Sequence, residues 1–158
     1  MLDVGCGTGA LLRQLAGRLT GDAELCGVDP APRMVAEARK RIGHDPRVRL
    51  EQAAAERLPF ADASFDLVAS ALAFDHWADQ QLGLSECARV LRAPGRLVLG
   101  DLFAAWLRPT TALRRRSRAR TVSQATVLLE RAGFRHMSWH RMYGLGPIPL
   151  VQAAVAAR

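Results

Sequence analysis

Residues that could hold a ligand cluster near the start of the sequence, which reads Asp3-Val4-Gly5-Cys6-Gly7-Thr8-Gly9. Glycines at alternate positions remove the Cβ atoms that would keep a ligand away from the backbone. Thr8 is expected to begin a helix, whose first N–H groups can receive a carboxylate or a phosphate. A glycine turn alone is weak evidence, so a second residue must define the ligand.

Asp29 is that second residue, because it ends a predicted strand about 20 residues after the glycines. A carboxylate there can accept hydrogen bonds from both hydroxyls of a ribose. Pro30 and Met34 follow directly and offer an apolar surface for an adenine ring. The loop and the acid together indicate an adenosine-type cofactor.

Two cofactors satisfy this spacing. Gly5, Gly7 and Ala10 also match G-x-G-x-x-G/A, the dinucleotide fingerprint, so NAD competes on spacing alone. An NAD-dependent oxidoreductase is therefore one alternative function for the chain.

His76, with Asp75 beside it, lies just past the fourth predicted strand and is the best-placed candidate for a general base. The alternative is a polar loop histidine with a structural hydrogen bond. Both interpretations stay open on the sequence.

These residues are positioned by a repeating pattern, because short apolar runs alternate with longer segments of helical periodicity. That pattern predicts an α/β fold: a doubly wound, mostly parallel seven-stranded sheet with helices on both faces and a C-terminal antiparallel strand pair. The predicted strands are 1–4, 24–29, 47–52, 65–71, 96–103, 134–143 and 150–157. The predicted helices are 10–19, 30–42, 80–91 and 123–132, with Ala93-Pro94-Gly95 ending the third. One domain is expected over 1–158.

The chain has a net charge of +7, and the excess of positive charge lies in its C-terminal part. Residues 102–158 hold ten Arg against one acid, Glu130, whereas residues 1–101 hold 12 basic and 14 acidic residues. Within this part, 104–122 is predicted to be a basic lid or linker. The arginines from Arg114 to Arg120 suit a solvated helix face or a peripheral anionic surface. Because no aromatics interleave with them, they argue against nucleic acid as a partner.

Cys6, Cys26 and Cys87 show neither CxxC nor Cys/His ligand spacing, so no metal site and no disulfide framework is predicted, and we expect packing roles. No apolar run approaches the roughly 18 residues of a membrane span, and no secretory pattern is visible. A cytoplasmic location is therefore expected. A homodimer remains open.

Six motifs occur in order along the chain: LDVGCGTG at 2–9, GVDP at 27–30, ERLPF at 56–60, SFDLVAS at 64–70, ARVLRAPGRLVLGDL at 88–102 and LLERAGF at 128–134. In this order they resemble the class I, Rossmann-like S-adenosylmethionine-dependent methyltransferases. The resemblance is strongest to the small-molecule type that includes the ubiquinone and menaquinone enzymes.

The resemblance implies S-adenosyl-L-methionine as the cofactor and assigns residues to it. Gly5, Cys6, Gly7, Thr8 and Gly9 would form the loop around its methionyl part. The other implied contacts are Asp3 to the amino group, Asp29 to the ribose, the backbone of Ala55 and Glu56 to the adenine edge, and Ala71 and Leu72 beside the sulfonium.

Two positions depart from the family pattern. Ala54 stands where relatives commonly carry an acid for the adenine amino group, and Glu56 is the candidate substitute. The cap helices that usually precede the first strand are expected to be absent, so the chain reads as short at its N-terminus. A degenerate or partner-dependent methyltransferase-like subunit is therefore a further alternative.

The methyl acceptor is expected to be a small molecule. The chain contains no asparagine, so the Asn/Asp-Pro-Pro-Tyr signature that resembles amino methyltransferases is missing. Phe74, Trp77, Phe103 and Trp106 are apolar enough to line an acceptor pocket. Core packing is the competing interpretation for each of them.

Overall fold

The computed structural model describes residues 1–103, 121–145 and 148–157. Within them the strands are β1 (Leu2–Val4), β2 (Leu25–Asp29), β3 (Val48–Gln52), β4 (Phe65–Ala71), β5 (Leu91–Leu102), β6 (Arg135–Leu145) and β7 (Ile148–Ala157). The helices are α1 (Ala10–Ala16), α2 (Pro32–Ile42), α3 (Gln80–Val90) and α4 (Val122–Arg131), and a single 3₁₀ turn spans Phe74–His76.

The strands form one sheet in the order β3-β2-β1-β4-β5-β7-β6. Strand β1 pairs in parallel with β2 on one side and with β4 on the other, so the strand order reverses there. Strand β7 is antiparallel to both β5 and β6. The predicted doubly wound sheet with a closing antiparallel pair is confirmed. In such sheets, ligands bind beyond the carboxyl ends of the strands where the order reverses.

Helices cover both faces of the sheet. Successive side chains of β2 point to opposite faces, so the strand has apolar contacts on each. Leu25 packs with Leu12 of α1 in one apolar cluster. Val28 belongs to a second, larger cluster that includes Leu84 of α3 and Leu129 of α4. The two clusters hold the sheet between α1 and α2 on one side and α3 and α4 on the other.

The first helix begins after Thr8 and ends before the predicted Leu19. It begins at Ala10, because Gly9 is its N-cap in the left-handed conformation at φ 75°, and Thr8 therefore lies in the loop. It ends at Ala16, because Gly17 forms the C-cap, so apolar spacing up to Leu19 does not continue the helix. The expectation that Thr8 begins the helix was wrong.

Strand β5 begins earlier than predicted. Leu91 follows α3 directly and pairs with Phe65, and a register shift then brings Arg96 opposite Leu67. The Ala93-Pro94-Gly95 segment therefore forms an irregularity inside the strand and does not end the helix. The predicted helix end at Leu91 is within one residue of the observed Val90, but the predicted strand start at Arg96 was wrong, because turn-forming residues also occur in bulges.

Cys6, Cys26 and Cys87 are buried free thiols, as expected for packing residues. Burial raises the pKa of the Cys6 and Cys87 thiols to about 12. Of the predicted basic segment 104–122, only Thr121 and Val122 lie within the described residues, and they cap and begin α4. Trp106 and the arginines from Arg114 to Arg120 lie outside them. No helix of the described part is long and apolar enough to cross a membrane.

Candidate active site

A cavity of about 420 Å³ lies at the carboxyl ends of β1, β2 and β4. Its size suits a small ligand, for which pockets span roughly 300–1,000 Å³. Most of the residues predicted from the sequence to bind the cofactor or to act as a base line it: Gly5, Gly7, Asp29, Pro30, Met34, Ala55, Glu56, Leu72 and His76. Trp77, predicted for the acceptor side, lines the same cavity together with Ala54, Ala73 and Ala78.

Several predicted residues do not line this cavity. Asp3 and Cys6 are buried beneath it, and Ala71 ends β4 opposite Gly100. Thr8 lies in an adjoining groove, where its hydroxyl accepts a hydrogen bond from Arg41 at 3.1 Å.

Gly9 is a packing residue in this structure. A Cβ on Gly9 would lie 2.9 Å from Cδ1 of Ile42 and 3.1 Å from Cβ of Ala38. The glycine therefore lets α2 approach the loop closely, a requirement that the spacing of the motif does not distinguish from ligand contact.

Two other aromatic residues of the predicted acceptor pocket, Phe74 and Phe103, belong to the core. Phe74 is 1% exposed and Phe103 is 3% exposed. Their ring centroids lie 6.2 Å apart, and Phe74 also packs edge-on against Trp77 at 5.2 Å. The competing interpretation, core packing, holds for these two phenylalanines.

The backbone N–H groups of the glycine loop are already used inside the protein. The N–H groups of Gly5 and Cys6 both donate to the carbonyl of Val28 at 2.9 Å, and that of Gly9 donates to the carbonyl of Cys6 at 2.9 Å. A P-loop or dinucleotide loop needs such groups free to face phosphate oxygens. These N–H groups are therefore not available to the phosphate oxygens of a pyrophosphate.

Asp29 fastens the glycine loop to the start of α2. Its Oδ2 accepts from the N–H of Gly7 at 3.0 Å and its Oδ1 from the N–H of Ala31 at 2.9 Å. A carboxylate has about four lone-pair sites, so each oxygen can accept one further hydrogen bond. Because Asp29 also lines the cavity, that remaining capacity suits a pair of ligand hydroxyls.

Gly5 and Gly7 both line the cavity, but the absence of a side chain has a different consequence at each. A Cβ on Gly5 would lie 2.4 Å from Cβ of Ala73, so no side chain fits there. A Cβ on Gly7, which has φ 53°, would meet nothing within 4 Å. Space next to Gly7 is therefore free for a ligand.

Asp3 adds a second acidic group below the loop. It is 2% exposed, and its Oδ1 has no hydrogen-bond partner within the described residues. Burial, together with the charge of Asp29, raises the pKa of Asp3 to about 7. Two carboxyl groups in this position favour a ligand that carries positive charge.

Glu56 is partly committed within the protein, because its Oε1 accepts the N–H of Asp79 at 2.8 Å. The turn that follows it is clamped by Arg89, which donates to the carbonyls of Leu58 at 3.1 Å and Phe60 at 2.8 Å. Glu56 therefore sits on a rigid turn, with Oε2 as the atom available to a ligand.

His76 and Asp75 form a pair on the other side of the cavity. Nε2 of His76 lies 3.3 Å from Oδ1 of Asp75, and the imidazole side chain is 59% exposed. A carboxylate that holds one ring nitrogen leaves the other available to accept a proton. Within the described residues, no group of three or more His, Cys, Asp or Glu side chains could hold a metal ion.

Sequence reasoning missed Ala73, Ala78 and Asp101. The two alanines carry no chemical signal and are found only through the turn that they flank. Asp101 did leave a signal, since it is a charged residue at the end of an otherwise apolar strand.

Comparison with known proteins agrees with this geometry. The family model of a methyltransferase domain matches residues 2–99. A demethylmenaquinone methyltransferase of Deinococcus radiodurans is 43% identical over 100 residues, which are 63% of this chain and 41% of that protein. An O-methyltransferase of Penicillium expansum is 40% identical over 107 residues, which are 66% of this chain and 38% of that protein. The chain thus spans less than half the length of these curated relatives.

The fold matches solved structures over nearly the whole chain. An S-adenosylmethionine-dependent methyltransferase from Mesorhizobium loti superposes with a TM-score of 0.83 and 21% identity, covering 99% of this chain and 90% of that one. At this identity the likeness supports the fold.

Proposed function

This chain belongs to the methyltransferase domain family, and from that premise we propose that it transfers a methyl group from S-adenosylmethionine to a small-molecule acceptor. The observation that carries the proposal is the chemistry of the glycine loop. The N–H groups of Gly5, Cys6 and Gly7 are bonded within the protein, and Asp3 and Asp29 lie beside them. Such a site favours a cationic sulfonium cofactor over the anionic pyrophosphate of NAD.

The residues of the cavity fit this cofactor. Asp29 would accept the two ribose hydroxyls, and Pro30 and Met34 would contact the adenine. The open space at Gly7 would admit the methionyl part, and Glu56 would stand in for the acid missing at Ala54. When bound, S-adenosylmethionine would supply a methyl group that passes to the acceptor by in-line displacement, with the thioether S-adenosylhomocysteine as the leaving group. The protein therefore mainly positions and desolvates the reactants.

His76 would act as the general base for an acceptor that must lose a proton. Its Nε2 lies 3.3 Å from Oδ1 of Asp75, a pairing that would leave Nδ1 to accept the proton. Holding donor and acceptor in this geometry can supply about 7–11 kcal/mol of the barrier reduction.

Several finer assignments accompany the proposal. A cytoplasmic location and a small apolar acceptor fit the sequence pattern. The basic stretch from Arg114 to Arg120 would meet an anionic acceptor or an anionic surface. A homodimer is compatible with the proposed function.

Calorimetry tests the proposal directly. The isolated chain is titrated with S-adenosylmethionine, with its demethylated product S-adenosylhomocysteine, and with NAD. We expect micromolar binding of the first two and none of NAD. Binding of NAD alone would make the oxidoreductase alternative correct. No binding of any of them by the isolated chain would favour a partner-dependent subunit.

A metabolite extract incubated with methyl-labelled cofactor then identifies the acceptor, because the label reports it without a prior guess. Label in a small molecule is the expected result. Label recovered only in protein or nucleic acid would contradict the proposed acceptor class.

A further inference from the structure

Asp101 is a buried carboxylate at the carboxyl end of β5. It is 2% exposed. Its Oδ2 accepts the N–H of Asp75 at 3.1 Å and its Oδ1 accepts the N–H of Leu102 at 2.6 Å. Burial raises the pKa of Asp101, and hydrogen bonds from backbone N–H groups, including that of Phe74, act against the rise.

No lysine, arginine or histidine of the described residues forms a salt bridge with Asp101. Burying a carboxylate is costly unless its lone pairs are satisfied. Here the compensation comes from backbone donors, one of which, the N–H of Asp75, belongs to the turn Phe74–His76. The carboxylate therefore links β5 to that turn.

The turn depends on such an outside partner. It is one 3₁₀ turn of three residues, and 3₁₀ geometry gives weak hydrogen bonds. Its internal bonds run from the N–H of His76 to the carbonyl of Ala73 at 3.0 Å and from the N–H of Trp77 to the carbonyl of Phe74 at 3.3 Å. The first N–H groups of the turn have no internal carbonyl to bond, and Asp101 accepts that of Asp75.

The turn also carries one wall of the cavity. Ala73, His76 and Trp77 line it, and His76 is paired with Asp75, whose N–H Asp101 holds. Asp101 itself does not line the cavity. Its effect on a reaction would therefore pass through the turn.

We infer that Asp101 is a positioning residue for methyl transfer, which acts by holding the Phe74–His76 turn so that His76 faces the acceptor. The inference rests on the proposed function. The inference separates two halves of the site. The groups proposed to hold the ribose and the adenine lie between Asp29 and Glu56. They precede the turn in sequence and do not bond to Asp101.

The test uses Asp101→Asn and Asp101→Ala in the full chain. Asparagine keeps the shape and one acceptor oxygen, whereas alanine removes both acceptors. Asp66→Asn is the matched control, because Asp66 has a side chain that is 77% exposed and pairs with Arg92 away from the cavity.

Two quantities are measured. One is the Kd for S-adenosylhomocysteine by calorimetry, and the other is the initial rate of label transfer from methyl-labelled cofactor into a metabolite extract at saturating cofactor. We expect Asp101→Ala to slow transfer about 10- to 100-fold, as for a buried N–H group left without its partner. Asp101→Asn should slow it less. Both should leave the Kd within about twofold, and Asp66→Asn should change neither.

A double variant separates positioning from a loss of fold. If Asp101 acts through His76, adding Asp101→Asn to His76→Ala slows transfer no further, because residues that act as a unit are not additive. Multiplied losses, or a Kd that weakens in step with the rate, would overturn the inference. Failure of the wild-type chain to bind S-adenosylhomocysteine would instead overturn the proposed function.

Discussion

The charge of Asp29 adds to burial in raising the pKa of Asp3 to about 7. The ordinary pKa of an aspartic acid is near 3.9, so the charge below the glycine loop changes within the physiological pH range. Asp3 is neutral below this range and anionic above it. Both cofactor binding and stability should respond.

Cofactor affinity should rise with pH because of Asp3. S-adenosylhomocysteine carries an ammonium group, and S-adenosylmethionine carries a sulfonium as well. An ionised Asp3 attracts the positive charge of either molecule. We expect tighter binding at pH 8 than at pH 6 in calorimetric titrations. Asp3→Asn should flatten the dependence, whereas Asp22→Asn, at an exposed position, should keep it. An equal slope in Asp3→Asn and the wild type would rule out this origin.

Stability should show the opposite trend. Because the folded state holds the Asp3 proton more tightly than the unfolded state, the stabilisation is complete below the unfolded pKa and is lost as pH rises toward about 7. Asp3→Asn removes this loss. The stability of Asp3→Asn minus that of the wild type, measured as the free energy of unfolding, should therefore be about 2–3 kcal/mol larger at pH 8 than at pH 5. Urea denaturation at the two pH values measures the difference, and a constant offset would contradict it.

Gly7 and Gly21 offer a matched pair of substitutions. Both have positive φ, 53° and 80°, and a Cβ on either would meet nothing within 4 Å. Alanine at each should destabilise the fold by about 1 kcal/mol, because both positions are left-handed. Only Gly7 lines the cavity, so only Gly7→Ala should weaken binding of S-adenosylhomocysteine, by at least about tenfold. Equal affinities in the two variants would show that no ligand occupies the space beside Gly7.

Leu72 is held in a left-handed conformation at φ 55° with its side chain 57% exposed at the cavity. Its N–H donates to the carbonyl of Gly100 at 2.8 Å. Leu72→Gly should relieve the strain and raise the free energy of unfolding by up to about 1 kcal/mol. It should also slow methyl transfer, since the side chain proposed to lie beside the sulfonium is lost.

Ala63→Gly is the control for Leu72→Gly, because Ala63 has φ 51° and does not line the cavity. It should gain similar stability and leave transfer unchanged. Denaturation curves and labelled transfer into extract measure the two effects. Transfer that stays at the wild-type rate in Leu72→Gly would show that the side chain plays no part beside the sulfonium.

The sheet and most of the cavity can be predicted because the ends of strands are recognisable in the sequence. Asp29 and His76 both follow apolar runs, and in a parallel sheet such ends meet at one edge. Their position depends only on the order and length of the elements, which hydrophobic periodicity reports.

The hydrogen bonds and the packing of the glycine loop cannot be predicted from the sequence in this way. The motif does not reveal that Gly9 packs against Ala38, or that the N–H groups of Gly5 and Cys6 share the carbonyl of Val28. Asp101 was missed because its partners are backbone N–H groups of a turn distant in sequence. Such contacts depend on side-chain direction, which spacing alone does not specify.

The reversal of strand order at β1 has an evolutionary consequence. Asp29, Pro30 and Met34 come from the β2 side of β1, whereas Leu72, His76 and Trp77 come from the β4 side. Substitutions on the β4 side that keep Ala73 against Gly5 and the N–H of Asp79 on Glu56 leave these contacts between the two sides in place. The same inherited scaffold can therefore diverge toward new acceptors while its ancestral donor chemistry is retained.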